Sequence, residues 1–294
     1  MKAFVVLNPV AGNNDRETVL NALKTHFSDA GIEYVVHETA KEEKPDEIVR
    51  TRLENDKFDF VVAAGGDGTV SQVVGGLIGS SLPLGIIPVG TGNLLARNLD
   101  IPLKIDEAVA LIAGKNGLRK IDAMKVNNRI CVLNASLGIS AKVMEGTTSE
   151  SKNRFGFLAY AWEALGKLFK LKREFITVDI DGNTTKHHAV EVTVFNSGTI
   201  VKTLYPEGLD ISIDDGQLDV WIVSYKTIKD YPKYLLRMIS KKTAKSLSHF
   251  MKANKRITIT SRVAMPLQVD GESIGTTPVE IEVLPGAINV IVRN

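Results

Sequence analysis

Phe60-Val61-Val62-Ala63-Ala64 runs without a polar break into Gly65-Gly66-Asp67-Gly68-Thr69, and Val70, Val73, Val74 and Leu77 then recur at helical spacing. A continuous apolar run is the pattern of a strand buried on both faces, as in a parallel sheet. A glycine turn from such a strand into a helix lets backbone N–H groups approach an anion closely, at the helix end that carries positive partial charge. Asp67, in the middle of the turn, would repel a bare phosphate, so its presence makes sense if a divalent cation bridges the carboxylate to phosphate oxygens. An ordinary turn with an aspartate cap explains Asp67 and one glycine, but not three glycines.

The same alternation surrounds this segment. Residues 4–7, 34–36, 58–64 and 84–89 have the pattern of buried strands, and residues 17–30, 46–55, 70–78 and 105–113 that of helices. Strand and helix in alternation predict a parallel sheet covered on both faces, with any ligand at the carboxyl ends of the strands. Two more loops belong at that edge: Pro88-Val89-Gly90-Thr91-Gly92-Asn93, followed by a short helical run over 94–98, and Asn8-Pro9-Val10-Ala11-Gly12-Asn13-Asn14. One Gly-x-Gly turn is weak evidence, but two after successive strands of one sheet share an edge. The chain has neither a Gly-x-Gly-x-x-Gly fingerprint nor a Walker lysine motif, which disfavours an ordinary dinucleotide or P-loop site.

After about Asp122 the texture changes. Residues 176–180, 190–195, 218–223, 256–260, 279–284 and 287–292 read as strands, separated by turn signals at Asp181-Gly182-Asn183, Asp215-Gly216, Asp270-Gly271 and Pro285-Gly286. An α/β domain over 1–125 and an antiparallel β domain over 126–294 are expected, with the last strand free to return to the first domain. Two helical stretches, 155–171 and 231–250, interrupt the second half.

Composition narrows the function classes. With 44% hydrophobic residues in 294, the chain can bury a sizeable core, and a net charge of +2 is too small to argue for nucleic acid as a partner. The charge is uneven, net −3 over 1–125 and +5 over 126–294. A single cysteine, Cys131, excludes an internal disulfide framework and a Cys-rich zinc site, and fits a reducing cytosolic compartment. Its apolar neighbours Ile130, Val132 and Leu133 mark it as a small core residue rather than a nucleophile. The apolar run at 3–7 is too short for a signal peptide, and the uncharged stretch 69–96 is too rich in glycine and proline to span a membrane. His187 and His188, adjacent on an expected strand, point to opposite faces, which argues against a shared metal.

Asn8-Pro9, Gly65-Gly66-Asp67-Gly68-Thr69 and Pro88-Val89-Gly90-Thr91-Gly92-Asn93 with Ala96-Arg97 resemble the diacylglycerol kinase catalytic domain family, which includes bacterial lipid kinases and sphingosine and ceramide kinases. The likeness continues through Asp122, Asn134, Gly138, Asp215-Gly216-Gln217-Leu218-Asp219-Val220 and Val269-Asp270-Gly271-Glu272. Gly-Gly-Asp-Gly-Thr alone is also similar to the NAD kinases and phosphofructokinases, but the second loop and the Val269-Asp270-Gly271-Glu272 element favour the lipid kinases. The resemblance implies a Rossmann-like, NAD-kinase-like nucleotide-binding domain, a C-terminal antiparallel β-sandwich, and a cleft between them where a lipid hydroxyl meets the γ-phosphate of ATP.

Phosphoryl transfer asks mostly for positioning and charge neutralisation. The expected nucleotide-binding residues are Asn8, Pro9, Gly12, Thr39, Gly65, Gly66, Asp67, Gly68, Thr69, Gly90, Thr91, Gly92 and Asn93, with Thr39 resting on the resemblance alone. Asp67 is the expected ligand of a catalytic Mg²⁺. The resemblance makes Glu272 the general base or orienting group; the residues alone also fit a hairpin turn with a solvated glutamate. Asp214-Asp215-Gly216-Gln217 can be a simple turn, while similar enzymes hold a second, structural Mg²⁺ there, which implies Asp215 with the carbonyl oxygens of Ser212 and Gln217. Family members commonly carry glycines after the position of Asn196, where this chain has Ser197-Gly198-Thr199-Ile200-Val201-Lys202, a departure that bears on the acceptor pocket.

A lipid kinase must meet a bilayer. Between Lys226 and Arg256 the sequence holds ten basic residues against one acid, Asp230, interleaved with apolar side chains such as Tyr231, Leu235 and Phe250. That suits an anionic interface, as residues 155–173 do less strongly, although both stretches also read as ordinary helices with solvated lysines. The expectation is an ATP- and Mg²⁺-dependent lipid kinase, with diacylglycerol the leading acceptor, cytoplasmic, peripherally attached to the membrane, with a homodimer left open. A kinase with a soluble acceptor such as NAD, and a nucleotide-binding protein without transfer activity, are the alternatives.

Overall fold

A computed structural model describes residues 1–12, 15–138, 140–141, 173–198, 211–224 and 248–294. Strands β1 (Lys2–Leu7), β2 (Glu33–Glu38), β3 (Phe60–Gly65) and β4 (Leu84–Pro88) form a parallel sheet in the order β2-β1-β3-β4. Both faces are covered, which is why these strands are apolar throughout rather than alternating. Along β1, Phe4 and Val6 join the core beneath helices α2 (Pro45–Asn55) and α3 (Asp67–Leu77), while Ala3, Val5 and Leu7 join the core beneath α1 (Arg16–Asp29) and α5 (Ile105–Ala113). Short α4 (Leu94–Asn98) follows β4.

The sheet does not stop at β4. Its neighbour is β16 (Val279–Val292), which pairs in parallel with β4 at Val290 and Leu84 and runs antiparallel to β5 (Gly117–Val126) along most of its length. Strand β5 makes a hairpin with β6 (Arg129–Cys131). Beyond β16 the sheet continues through β13 (Arg256–Ser261), β8 (Glu174–Ile180) and β9 (Asn183–Ala189). A second, antiparallel sheet of β7 (Asn134–Gly138), β10 (Glu191–Phe195), β11 (Leu218–Val223), β12 (Ser248–Ala253), β14 (Pro266–Val269) and β15 (Glu272–Thr276) packs across it. The apolar core between the two holds Met124, Leu137, Val192, Ile222, Ile257, Leu267 and Ile281. This is the α/β domain plus β-sandwich expected from the sequence.

Two readings change. Pro285-Gly286 does not separate two strands: residues 279–292 are one strand whose register against β5 shifts between Leu284 and Ile288, with Gly286 at φ +54° in the bulge. Asp122 lies inside β5, which follows α5, and Asn134 and Gly138 are the two ends of β7, which follows β6. Residues 248–250, which the sequence predicts to end a helix, belong to β12, where Phe250 stacks on Trp221 with ring centroids 5.9 Å apart. The rest of that basic stretch, 226–247, together with helical candidate 155–171 and residues 199–202, lies outside the described residues. Among those described, no helix is long and apolar enough to cross a membrane.

Candidate active site

The carboxyl ends of β1, β3 and β4 bring their loops together through main-chain contacts. Asn8 N–H donates to Ala64 O (2.9 Å), Val89 N–H to Gly65 O (3.0 Å) and Thr39 N–H to Leu7 O (2.9 Å). Asn8 Nδ2 donates to Thr69 Oγ1 at 3.1 Å, tying the first loop to the first turn of α3. The loops touch where they carry glycine: a Cβ on Gly90 would stand 2.5 Å from Gly66 Cα, and one on Gly12 would strike Val89 O. Only glycine allows that approach, so Asn8, Pro9, Gly12, Thr39, Gly65–Thr69 and Gly90–Asn93 share one edge.

Asp67 starts α3 and reaches across to the second loop, where Leu95 N–H donates to Oδ1 at 3.2 Å and the N–H groups of Leu94 and Asn93 add to it. The aspartate therefore caps α4, a helix other than its own, and fastens the two glycine loops to each other. Burial nevertheless pushes the carboxyl above the usual carboxylate range, with the negative charge of Asp270 adding to the rise against those three amides. Among the described residues no lysine or arginine pairs with Asp67. Asn93 sits at φ +47° with its Oδ1 buried and without a hydrogen-bond partner. A left-handed backbone and an orphaned acceptor both cost free energy in the folded chain.

The sandwich supplies the facing wall. Glu272 opens β15, and a Cβ on Gly68 would lie 3.0 Å from its Oε1, so the carboxylate stands at the amino terminus of α3. Arg129, from the β5–β6 hairpin, pairs with Glu272 Oε2. Asp270, two residues earlier at φ +46°, is gathered by many donors: N–H of Val132 (3.2 Å), Leu133 (3.1 Å) and Asn134 (3.0 Å), the Cys131 thiol (2.9 Å) and the Ser71 hydroxyl from α3. It joins α3 to the sandwich. Burial first, then the Asp270 charge, pushes the Cys131 thiol well above its ordinary range, so this cysteine is inert as a nucleophile.

Asp122, 2% exposed, accepts Gly216 N–H on Oδ2 (2.7 Å) and Gly286 N–H on Oδ1 (2.6 Å). It staples the 212–217 loop to the bulge of β16. In that loop Asp215 Oδ1 accepts Gln217 N–H (3.0 Å) and Oδ2 the Lys252 ammonium (3.0 Å), while Ser212 donates to Asp214. Next to the Asp270 turn lies a buried polar rung, in which Asn134 and Gln268 both donate to Ser136 Oγ at 3.2 Å, with Glu191 and Thr193 on the next strand. His188 stacks on Phe175 with centroids 4.3 Å apart, and His187 lies 5.3 Å from His249, so the two rings serve different neighbours.

Residue types alone did not single out Ser71 and Arg129. Ser71 has the signal of lying one turn after Asp67 on the same helix face, whereas Arg129 has none, because its pairing with Glu272 depends on a hairpin 143 residues away in sequence.

Glycine loops at the tips of a doubly covered parallel sheet, faced by carboxylates from a β-sandwich, define a two-domain protein of the NAD-kinase-like and lipid-kinase-like class. Residues 2–126 match the diacylglycerol kinase catalytic domain, and residues 134–292 match the YegS C-terminal NAD kinase beta sandwich-like domain. The chain belongs to the diacylglycerol kinase catalytic domain family, a family of kinases that use ATP. It is 30% identical over 300 residues to a protein of Synechocystis sp. (strain ATCC 27184 / PCC 6803 / Kazusa), covering 97% of this chain and 69% of that one. A Staphylococcus aureus (strain Mu3 / ATCC 700698) protein named "Putative lipid kinase" is 28% identical over 84% of this chain and 81% of its own. The crystal structure of a diacylglycerol kinase from Bacillus anthracis str. Sterne superposes with a TM-score of 0.77 at 26% identity, covering 99% of this chain and 97% of that one.

Proposed function

We propose that this protein transfers the γ-phosphate of ATP to a lipid hydroxyl, with diacylglycerol as the leading acceptor and phosphatidic acid as the product, at a membrane surface that it meets peripherally. One observation carries the reading: glycine loops, an under-neutralised Asp67 and the Asp270-Glu272 turn meet at a single edge, which gives phosphate-binding amides, a need for a cation, and a carboxylate for the acceptor.

The residues suit Mg²⁺–ATP. The Gly66–Gly90 approach is a cradle that any Cβ would fill, and among the described residues Asn93 Oδ1 has no partner and Asp67, with the nearby charge of Asp270, no cation. Bound Mg²⁺ would neutralise charge on the phosphoryl oxygens. The chain's own tasks are then positional. Backbone N–H groups of residues 65–69 and 90–92 hold phosphate oxygens, Thr69 and Thr91 donate hydroxyl hydrogen bonds, and Asp67 supplies a carboxylate to the cation. Glu272 accepts a hydrogen bond from the acceptor hydroxyl, and Arg129 holds that carboxylate in place. Because the transition state is loose, orientation of the hydroxyl counts for more than its prior deprotonation. The polar rung of Asn134, Ser136, Gln268, Thr193 and Glu191 beside the turn suits the hydroxyl-bearing head of an acceptor rather than its tails.

The test is incubation with labelled ATP, Mg²⁺ and mixed micelles containing diacylglycerol, sphingosine, ceramide, monoacylglycerol or phosphatidylglycerol, beside a lipid-free arm containing NAD. Label in phosphatidic acid is the expected result. Label in NAD, or nucleotide binding without transfer to any acceptor, would replace this reading by one of its two alternatives.

A further inference from the structure

The loop that carries Asp214 and Asp215 is where the family likeness implies a second, structural cation, and its donor set does not suit one. Asp215 Oδ1 is taken by Gln217 N–H and Oδ2 by the Lys252 ammonium, each at 3.0 Å. Asp214 Oδ2 receives the Arg119 guanidinium through Nε and a terminal nitrogen, both at 2.9 Å, and Asp214 Oδ1 receives the Ser212 hydroxyl at 2.6 Å. Each carboxylate thus already faces a protein cation, and an ammonium 3.0 Å from the one side-chain ligand oxygen would repel a metal ion placed there.

The position of Lys252 follows from the backbone. Strand pairing sets Leu218 opposite Ala253 and Asp219 opposite Lys252, which brings the lysine alongside the residues that lead into β11. The same corner is pinned twice more: Gln217 Nε2 donates to Asn254 Oδ1 at 3.0 Å, and Asp181 collects the N–H groups of Asn254, Lys255 and Arg256 at 2.8–2.9 Å. These hydrogen bonds draw the Asp181 carboxyl below the usual range, with the Arg256 and Asn254 amides foremost. From the far side Asp122 holds Gly216 N–H.

We propose that Lys252 is the built-in cation of this loop, standing in place of a structural metal ion, so that the loop holds its shape without a divalent cation. Removing the ammonium leaves Asp215 a carboxylate without its cation beside the Ser212 and Gln217 carbonyl oxygens, an oxygen set of the kind that takes Mg²⁺ or Mn²⁺. The lysine suppresses a metal site that its loss would open.

The experiment uses the full chain without nucleotide, with Mn²⁺ as the counted ion and Mg²⁺ as the stabilising one, on wild type, Asp215→Asn, Lys252→Met, and Lys252→Met combined with Asp215→Asn. Wild type should show no Mg²⁺-dependent rise in melting temperature that Asp215→Asn removes. Lys252→Met should melt about 2 °C lower in chelator, recover in Mg²⁺, and bind one Mn²⁺ more than wild type, and adding Asp215→Asn should remove both responses. A wild-type melting temperature raised by Mg²⁺ and made indifferent to it by Asp215→Asn would overturn the proposal, as would a Lys252→Met protein with no added ion and no Mg²⁺ response. Should Lys252→Met fail to fold, Lys252→Gln takes its place under the same criteria. No readout involves turnover, so failure here is separable from failure of the kinase reading.

Discussion

Asp67 and Asp122 are both aspartates set where chain segments meet, and they are served differently. Asp122 is a finished junction, its two oxygens matched by two glycine amides at 2.6 and 2.7 Å, and nothing around it calls for a ligand. Asp67 is unfinished: three amides do not offset its burial and the charge of Asp270, and beside it Asn93 holds a left-handed backbone and an orphaned oxygen. Among the described residues, a matched buried carboxylate such as Asp122 builds the fold, whereas Asp67, left short of positive charge, is the proposed place for a cation and phosphates.

Exchanging the charge at each junction sharpens the contrast. Asp67→Asn should lower the rate of phosphoryl transfer about 1,000-fold or more. It should also raise thermal stability near neutral pH. A carboxyl whose folded pKa is raised costs stability once pH has passed from its unfolded value through the folded one, so the mutant's gain should be complete above that window and vanish below it. Melting curves across acid to neutral pH read the second effect, and a destabilised Asp67→Asn protein at neutral pH would break the comparison. Asp122→Ala is expected to act in the other direction, costing about 3 kcal/mol in denaturant unfolding because it strands two buried amides. Ser71→Ala removes the hydroxyl tie between α3 and Asp270 and should cost about 1 kcal/mol, with Mg²⁺–ATP affinity little changed. The smallest effect belongs to Asp181→Asn. Its carboxyl is held low by the amides of Arg256 and Asn254, so the stability lost, under about 1 kcal/mol at this exposed corner, should be present at neutral pH and fade as wild type is taken down through the folded pKa.

The α/β half was legible because its strands are buried on both faces and its helices carry clean periodicity, and its glycine turns announced the edge where they meet. Asp67 was read as a cation ligand, but not as the cap of α4, since that contact spans 28 residues and depends on two loops closing on each other. The sandwich was harder. Pro285-Gly286 has the composition of a turn, yet Gly286 serves a bulge whose amide is claimed by Asp122, a partner 164 residues away. Residues 248–250 were masked by a basic, apolar neighbourhood with helical spacing, although pairing with β11 decides their conformation. Arg129, Ser71 and Lys252 were missed as site residues for one reason: each is recruited by a partner distant in the chain.

If the amides at the tips of β1, β3 and β4 grip the phosphates of ATP, amide hydrogen exchange with and without Mg²⁺–ATP reads that grip residue by residue. Slowed exchange is expected at residues 65–69 and 90–95, with no change at 212–217. Unchanged exchange at the two glycine loops under saturating nucleotide, or protection confined to 212–217, would contradict it.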